Sequence, residues 1–317
     1  MNQALPAFPS FVMVGAGALA SALAPALVEA GYRPVGVVSR DRKRAESLAE
    51  RLGCPVIEWT GIKSNLVVCC VPDDAMEPVV AALAAAVPDW SGRMVLHTSG
   101  ARDASALAAL ASLGAVTCGF HPIQSFVYPS DPSDLRGVSV AIGGDEAGLG
   151  AASQIARDLG LAVLHVPDGS RALYHLATAI ASNGLVTLAA LAADLLGACG
   201  IDRHQSLAAL GPLVATTVSH VERDGPDRAL TGPVVRGDVT TVDRHFAALA
   251  AVSPGLVAFY GSLVTETVRL AVRSGRLDRW SAARILDVVT AWVLRGAGEP
   301  FDEDRPSLYP FDEDEPG

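Results

Sequence analysis

Three groups of residues in this 317-residue chain join reactive chemistry to an informative spacing. The first is Gly15-Ala16-Gly17-Ala18-Leu19-Ala20, directly after the apolar run Phe11 to Val14. A G-x-G-x-x-(G/A) turn between strand and helix takes up a dinucleotide pyrophosphate. Gly15 lets the chain turn tightly, Gly17 leaves the backbone bare for a phosphate, and Ala20 lets helix and strand pack closely. The helix start adds unpaired N–H groups and a partial positive charge. The second group ends the next apolar run, Pro34 to Val38, with Ser39-Arg40-Asp41-Arg42-Lys43-Arg44. An acid there would read a ribose hydroxyl; cations suit a ribose 2′-phosphate. The competing reading is a solvated first turn of the next helix, although cations sit poorly at a helix N-terminus unless an anion docks there. The expected cofactor is therefore NADP(H), held by Gly15 to Ala20, Ser39, Arg40, Arg44, Val71-Pro72-Asp73 and Ser99.

The third group could move a proton. His175 is followed by Thr178, Ala179, Ser182 and Asn183 on a long apolar helix. At ~100° per residue these five share an arc of about 140°. Such a polar strip is either the wall of a wet cleft or a seam against another helix. In the first case His175 is the natural proton donor, since a free imidazole titrates at ~6.5, close to working pH, and Asn183 and Ser182 hold a substrate oxygen. His121 at a strand end is either catalytic or a turn histidine. Gln124 and Ser125 can bind a carboxylate or amide. Arg236 is the best anion clamp downstream, or else an ion pair within its loop. His97 lies inside a strand and reads as a core histidine.

These groups need a scaffold. Apolar runs at Phe11–Val14, Pro34–Val38, Cys54–Glu58, Asn65–Val71, Arg93–His97, Val116–Phe120, Val138–Ile142 and Ala162–Val166 alternate with helical patterns. That alternation predicts an α/β fold with a parallel, doubly wound sheet, whose ligands bind at the carboxyl ends of the strands. Pro25 is awkward inside the first helix and should bend it or lie near the surface. Beyond Asp168 the patterns are all helical, beginning with one stretch from Arg171 to Cys199. The chain thus divides into a Rossmann domain over 1–168, an all-α domain over 169–297 and a disordered acidic tail over 298–317.

Net charge is −10, of which −7 falls between Glu299 and the end. A near-neutral body with one small basic patch argues against a nucleic-acid partner. Five cysteines without C-x-x-C spacing, and no H-E-x-x-H, indicate reduced structural thiols, no metal site and a cytoplasmic setting. Phe11 to Val28 carries no charge, yet no cation precedes Arg33 and the run is broken by Gly15, Gly17 and Pro25, so export or a membrane span is not expected.

The G-x-G-x-x-A start, Ser39-Arg40 and the helical second half resemble the 6-phosphogluconate dehydrogenase-like superfamily. More closely, His97-Thr98-Ser99-Gly100, Phe120-His121-Pro122-Ile123-Gln124-Ser125-Phe126, Tyr174-His175 with Ser182-Asn183, and Leu230-Thr231-Gly232-Pro233 with Arg236-Gly237-Asp238 are similar to a bacterial family of Rossmann-like oxidoreductases with a helical C-terminal domain of undetermined function. The resemblance covers about residues 10–275. It implies an NADP-dependent reductase of a C=O or C=N bond in a small carboxylate, with a 2-oxo acid such as ketopantoate as a candidate. A homodimer formed through the helical domain is expected from its Ala/Leu-rich composition. The relatives' lysine acid/base is missing, because no lysine follows Lys63. His175 or water takes its place, or the protein is a non-catalytic NADP-binding sensor or assembly protein. A methyltransferase fits the glycine loop but not the cationic end of the second strand.

Overall fold

The computed structural model describes residues 9–167 and 169–295. Seven strands form one sheet: β1 (Ser10–Val14), β2 (Arg33–Val38), β3 (Leu66–Cys69), β4 (Met94–His97), β5 (Val116–Pro122), β6 (Ser139–Gly144) and β7 (Ala162–His165), in the order β2-β1-β3-β4-β5-β6-β7. Helices α1 (Ala18–Glu29), α2 (Arg42–Leu52), α3 (Met76–Ala86), α4 (Ala108–Ala111) and α5 (Glu146–Asp158) connect them. The central strands β1, β3 and β4 are buried on both faces, while the edge strand β7 is largely exposed. One apolar cluster lies around Phe11, Met13, Leu66 and Phe120 and another around Val12, Val67, Val95 and Trp90. This is the architecture that near-continuous Val/Ile/Leu runs encode.

The sheet departs from the expected parallel arrangement at one place. β5 and β6 pair antiparallel, Phe120 opposite Ile142, while the other pairs are parallel. The reason is the connection: only a loop and a single 3₁₀ turn, Pro132–Leu135, separate the two strands, with no α-helical crossover to return the chain to the opposite edge. The carboxyl ends of β1 to β5 therefore share one edge, and those of β6 and β7 lie at the other. The strand expected over Cys54–Glu58 is reduced to an isolated bridge, Val37 to Val56, because Pro55 donates no backbone N–H.

Pro25 neither lies at the surface nor leaves its helix; it is buried within α1. Proline has no N–H for the carbonyl four residues back, Ser21. Arg51 supplies the missing bond, its Nη1 donating to the Ser21 oxygen at 2.9 Å. The Ser21 hydroxyl in turn accepts from the Ser130 N–H at 2.9 Å. A buried carbonyl without a donor would cost about 1–3 kcal/mol.

The rest is helical: α6 (Arg171–Ala179), a π-helical turn at Ile180–Gly184, α7 (Leu185–Ala198), α8 (Arg203–Asp224), α9 (Pro226–Ala229), α10 (Val239–Val252), α11 (Val257–Arg273) and α12 (Arg279–Arg295). The chain forms two compact units, Met1–Leu185 and Val186–Gly317. The change of pattern at Asp168 thus precedes the structural boundary, which falls inside the long helix. Its first turn is built into the sheet unit through Arg171, which is 2% exposed. The second unit has its own core of Val242, Phe246, Val268, Ile285 and Val288. There Phe246 stacks on Trp292, their ring planes 8° apart. The acidic tail expected over 298–317 lies outside the described residues.

Candidate active site

The turn after β1 meets its geometric requirement. Gly15 has φ +101°, and a Cβ there would lie 2.1 Å from the Cys70 carbonyl oxygen. The ends of β1, β2 and β3 are tied at this height by Cys70 N–H to Val14 O at 2.7 Å and Gly15 N–H to Val38 O at 2.8 Å. At Gly17 a Cβ would meet nothing within 4 Å. The first position thus demands glycine for the fold, and the second keeps open space at the start of α1. Ala18, Leu19 and Ala20 form the first turn of α1, and Ala20 is buried against the sheet.

Gly15, Ala16 and Gly17 line a cleft of about 620 Å³ together with Ser39, Arg40, Arg44, Val71 and Pro72. Its wall also contains Asp41, from the same stretch, and Trp59 and Cys70, which were not anticipated. Asp41 caps α2 by accepting from the Arg44 N–H at 3.0 Å. The basic cluster is not uniform. Arg42 pairs with Glu46 at 2.7 Å, and Arg44 pairs with Asp41 at 3.3 Å while its guanidinium lies 4.3 Å from the Tyr128 ring centroid. Arg40 has no ion pair among the described residues and lines the cleft. These features fit a dinucleotide with a ribose phosphate: bare backbone where the pyrophosphate would pass, and an uncommitted cation at the end of β2.

Further along the same sheet edge, beyond β4 and β5, polar groups from three elements converge on Gly100. A Cβ at Gly100 would lie 3.0 Å from His121 Nε2 and 3.0 Å from His175 Cδ2. The two imidazoles therefore approach within about 6 Å, with room between them because residue 100 has no side chain. His121 Nδ1 is 2.6 Å from the Tyr174 hydroxyl, the rings meeting edge to face. His97 is buried, as its place inside β4 suggested, and its Nε2 contacts the Asp103 backbone oxygen at 3.1 Å. The Arg171 guanidinium sits 5.6 Å from the Tyr174 ring centroid, and glycines at 119 and 143 make room for it.

This environment disfavours positive charge. Burial, then the Arg171 cation and the neighbouring His175, hold His121 at about 4. Burial holds His97 at about 4 as well. Both imidazoles are neutral near pH 7, so neither stores a proton as imidazolium. Burial pushes the Tyr174 phenol up to about 12, so it stays protonated. The Cys70 thiol is likewise pushed up to about 12 by burial, far from a reactive thiolate.

The other candidates are distributed as follows. Ser182 and Asn183 lie in the π-turn, in the same unit as His175. An i→i+5 turn advances less than 100° per residue, so both trail the angles that a straight α-helix assigns them. Asp73 occupies the 3₁₀ turn after β3 and is close enough to influence His97 and His121. Ser99 is buried and accepts from the Arg102 N–H at 3.0 Å. Gln124 folds back onto the Ser125 N–H at 2.9 Å, in an exposed loop. Arg236 belongs to the second unit, is exposed, and forms no ion pair among the described residues; Asp238 instead caps α10 through the Thr241 N–H at 3.0 Å. Tyr174 and Arg171 are the site residues whose roles sequence reasoning missed. An arginine and a tyrosine in the first turn of an otherwise apolar helix were the available signal. No group of His, Cys, Asp and Glu able to hold a metal occurs among the described residues.

Comparison with known proteins agrees with this construction. Residues 4–122 match the family model for a Rossmann-like domain, and residues 138–267 match that for a domain of unknown function, DUF2520. No curated protein matches the chain. Among solved structures, protein TM1727 from Thermotoga maritima is 24% identical, covering 84% of this chain and 99% of its own, with a TM-score of 0.67. BF3122 from Bacteroides fragilis, assigned as an NADP oxidoreductase, is 22% identical over 85% of this chain and 98% of its own, TM-score 0.64. A reductive aminase from Aspergillus terreus, solved with NADPH and ethyl-5-oxohexanoate, is 18% identical over 92% and 96%, TM-score 0.56. At these identities the likeness is one of fold. The chain belongs to the Rossmann-like proteins that carry a C-terminal DUF2520 domain, the family its motifs resembled.

Proposed function

We propose that the protein is an NADP(H)-dependent oxidoreductase reducing a C=O or C=N bond in a small carboxylate. The observation that carries this reading is the cleft: a glycine turn that tolerates no side chain at Gly15, open space at Gly17, and Arg40 uncommitted at the end of β2. Bound there, NADPH supplies hydride. The protein's own part is to hold the acceptor beside Gly100 and bring a proton to its heteroatom. His121 and His175 are the groups that reach that place, with Ser182 and Asn183 on the same helix to orient the substrate. Roles for Gln124, Ser125 and Arg236 in gripping a carboxylate rest on the sequence alone. The structural neighbours whose names include NADP or NADPH support the cofactor without identifying the substrate.

The test is NADPH oxidation with a panel of α-keto acids and cyclic imines. His175→Ala is expected to lower kcat/KM at least about tenfold, the equivalent of one hydrogen bond to the reacting group, with NADPH affinity unchanged. Unaltered turnover would remove His175 from the site. NADPH bound tightly, with no turnover on any of the panel, would favour the sensor reading.

We also propose a homodimer. The helix Arg171–Ala198 is long and apolar enough to cross a membrane, as is Pro254–Arg273. Only 6% of the first helix's most apolar window is buried, and Leu173, Ile180 and Val186 are each more than 60% exposed. A lipid partner fits poorly, because the first turn is fixed in the sheet unit by Arg171 and the helix carries His175 and Asn183. A second copy covers such a face without removing those groups from water. Light scattering should return twice the chain mass; a monomer at micromolar concentration would defeat the proposal. We also propose a cytoplasmic setting, supported by five cysteines without C-x-x-C spacing.

A further inference from the structure

We infer that His121 delivers the proton during reduction and that Tyr174 resupplies it through the same imidazole, an arrangement that suits a carbonyl substrate rather than an imine. This deepens the proposed function and rests on it. The geometry is a chain of three points: the Tyr174 hydroxyl 2.6 Å from Nδ1, the imidazole itself, and Nε2 facing the space above Gly100. In the relay the phenol donates to Nδ1, and the ring proton then resides on Nε2, on the side of the substrate position.

The step balances as follows. Hydride adds to the carbonyl carbon, and the C=O π pair moves onto oxygen. The Nε2 proton of His121 forms the new O–H bond. Nδ1 takes the Tyr174 proton, so the imidazole exchanges one tautomer for the other and carries no net charge. After the product leaves, Nε2 takes a proton from solvent and Nδ1 returns its own to the phenolate, restoring the starting tautomer; the Arg171 cation lies over the phenolate ring in the meantime. An alkoxide is more basic than a phenolate, so the transfer runs downhill. An imine accepts hydride well only after its nitrogen has been protonated. A phenol held near 12 and an imidazole that resists protonation above about 4 are poor sources for that earlier proton.

The groups that set the state of His121 come from every element around it: His97 on β4, Asp73 after β3, and Arg171, Tyr174 and His175 on α6. Asp73 favours the imidazolium; Arg171, His175 and His97 oppose it, and burial reinforces them. Neither His121 nor Tyr174 titrates between about pH 5 and about pH 9, so the relay itself should add no pH dependence to keto-acid turnover there. A donor imidazolium of ordinary pKa would instead make the rate fall as pH rises past about 6.5.

The experiment uses the full chain, nitrogen-labelled in histidine, with the His121 signal assigned by its loss in His121→Gln. Expected are a neutral ring with unprotonated Nδ1 from pH 8 down to about pH 5, and redistribution between tautomers in Tyr174→Phe. In parallel, ketoisovalerate and pyrroline carboxylate are compared as substrates. Reduction of the keto acid should be the faster, and Tyr174→Phe should lower its kcat about 100-fold with NADPH affinity unchanged. A His121 that titrates near 6.5 and ignores the tyrosine overturns the relay, as does an imine turned over faster than the keto acid and indifferent to Tyr174→Phe. Absence of turnover on both substrates despite bound NADPH, with the tautomer readout as expected, defeats the proposed reductase itself and the catalytic role of the relay with it.

Discussion

Gly15→Ala is expected to abolish NADPH binding and to lower stability by about 2–5 kcal/mol. Two costs add. An L-residue at φ +101° is strained by about 1–2 kcal/mol. The new methyl would sit 2.1 Å from the Cys70 carbonyl oxygen, an atom that cannot withdraw because β1 and β3 are hydrogen-bonded neighbours in mid-sheet. Overpacking of that kind costs a further ~1–3 kcal/mol. Gly17→Ala is the informative partner. Its φ is −80° and its methyl meets no protein atom within 4 Å, so thermal stability should stay within experimental error of the parent. NADPH affinity should nevertheless drop tenfold or more, since the methyl occupies the space assigned to the pyrophosphate. Calorimetric titration alongside a melting curve separates the two variants. Parental affinity in Gly17→Ala would mean that the phosphates pass elsewhere.

Arg40→Ala carries the other large effect, and it is one of selectivity. A charged hydrogen bond is worth about 1.5–3 kcal/mol, so the variant should bind NADPH roughly 10- to 100-fold more weakly. NADH has no 2′-phosphate, and its affinity should change little. Arg42→Ala should barely alter the ratio, because that side chain is already paired with Glu46 in solvent. Titrations of the three proteins with both nucleotides decide the matter. Equal losses for NADPH and NADH in Arg40→Ala would show that the arginine does not read the phosphate. The two experiments are independent: the glycine pair asks whether the turn holds a dinucleotide, and the arginine pair asks which one.

The same contrast separates what could be read from residues alone from what required the folded chain. The glycine turn, the alternation of strands and helices and the division into an α/β half and a helical half were legible, because each depends on near neighbours: apolar runs, a few glycines and helical periodicity. Even there, the direction of β6 and β7 was misread. Whether β6 runs parallel to β5 depends on how the intervening loop returns, which no local pattern encodes. Pro25 shows the same limit. A buried proline in a helix looks like an error until Arg51, 30 residues away from Ser21, is seen to satisfy the abandoned carbonyl. Of the four cations after β2 the sequence singled out Arg40 and Arg44; ion pairing separates those two, Arg44 pairing with Asp41 and Arg40 lining the cleft without an ion pair among the described residues.

The proton-handling groups were the least legible. His121 and His175 were singled out as side chains, but not their convergence on Gly100 from positions 54 residues apart. Nor could composition reveal that His121 is neutral, since its state depends on burial and on Arg171 brought alongside by α6. Residue types along the chain determined which chemistry was available here. The tertiary structure decided which of those groups meet and in what protonation state, because burial and long-range contact change a side chain's free energy without leaving a trace in its neighbours.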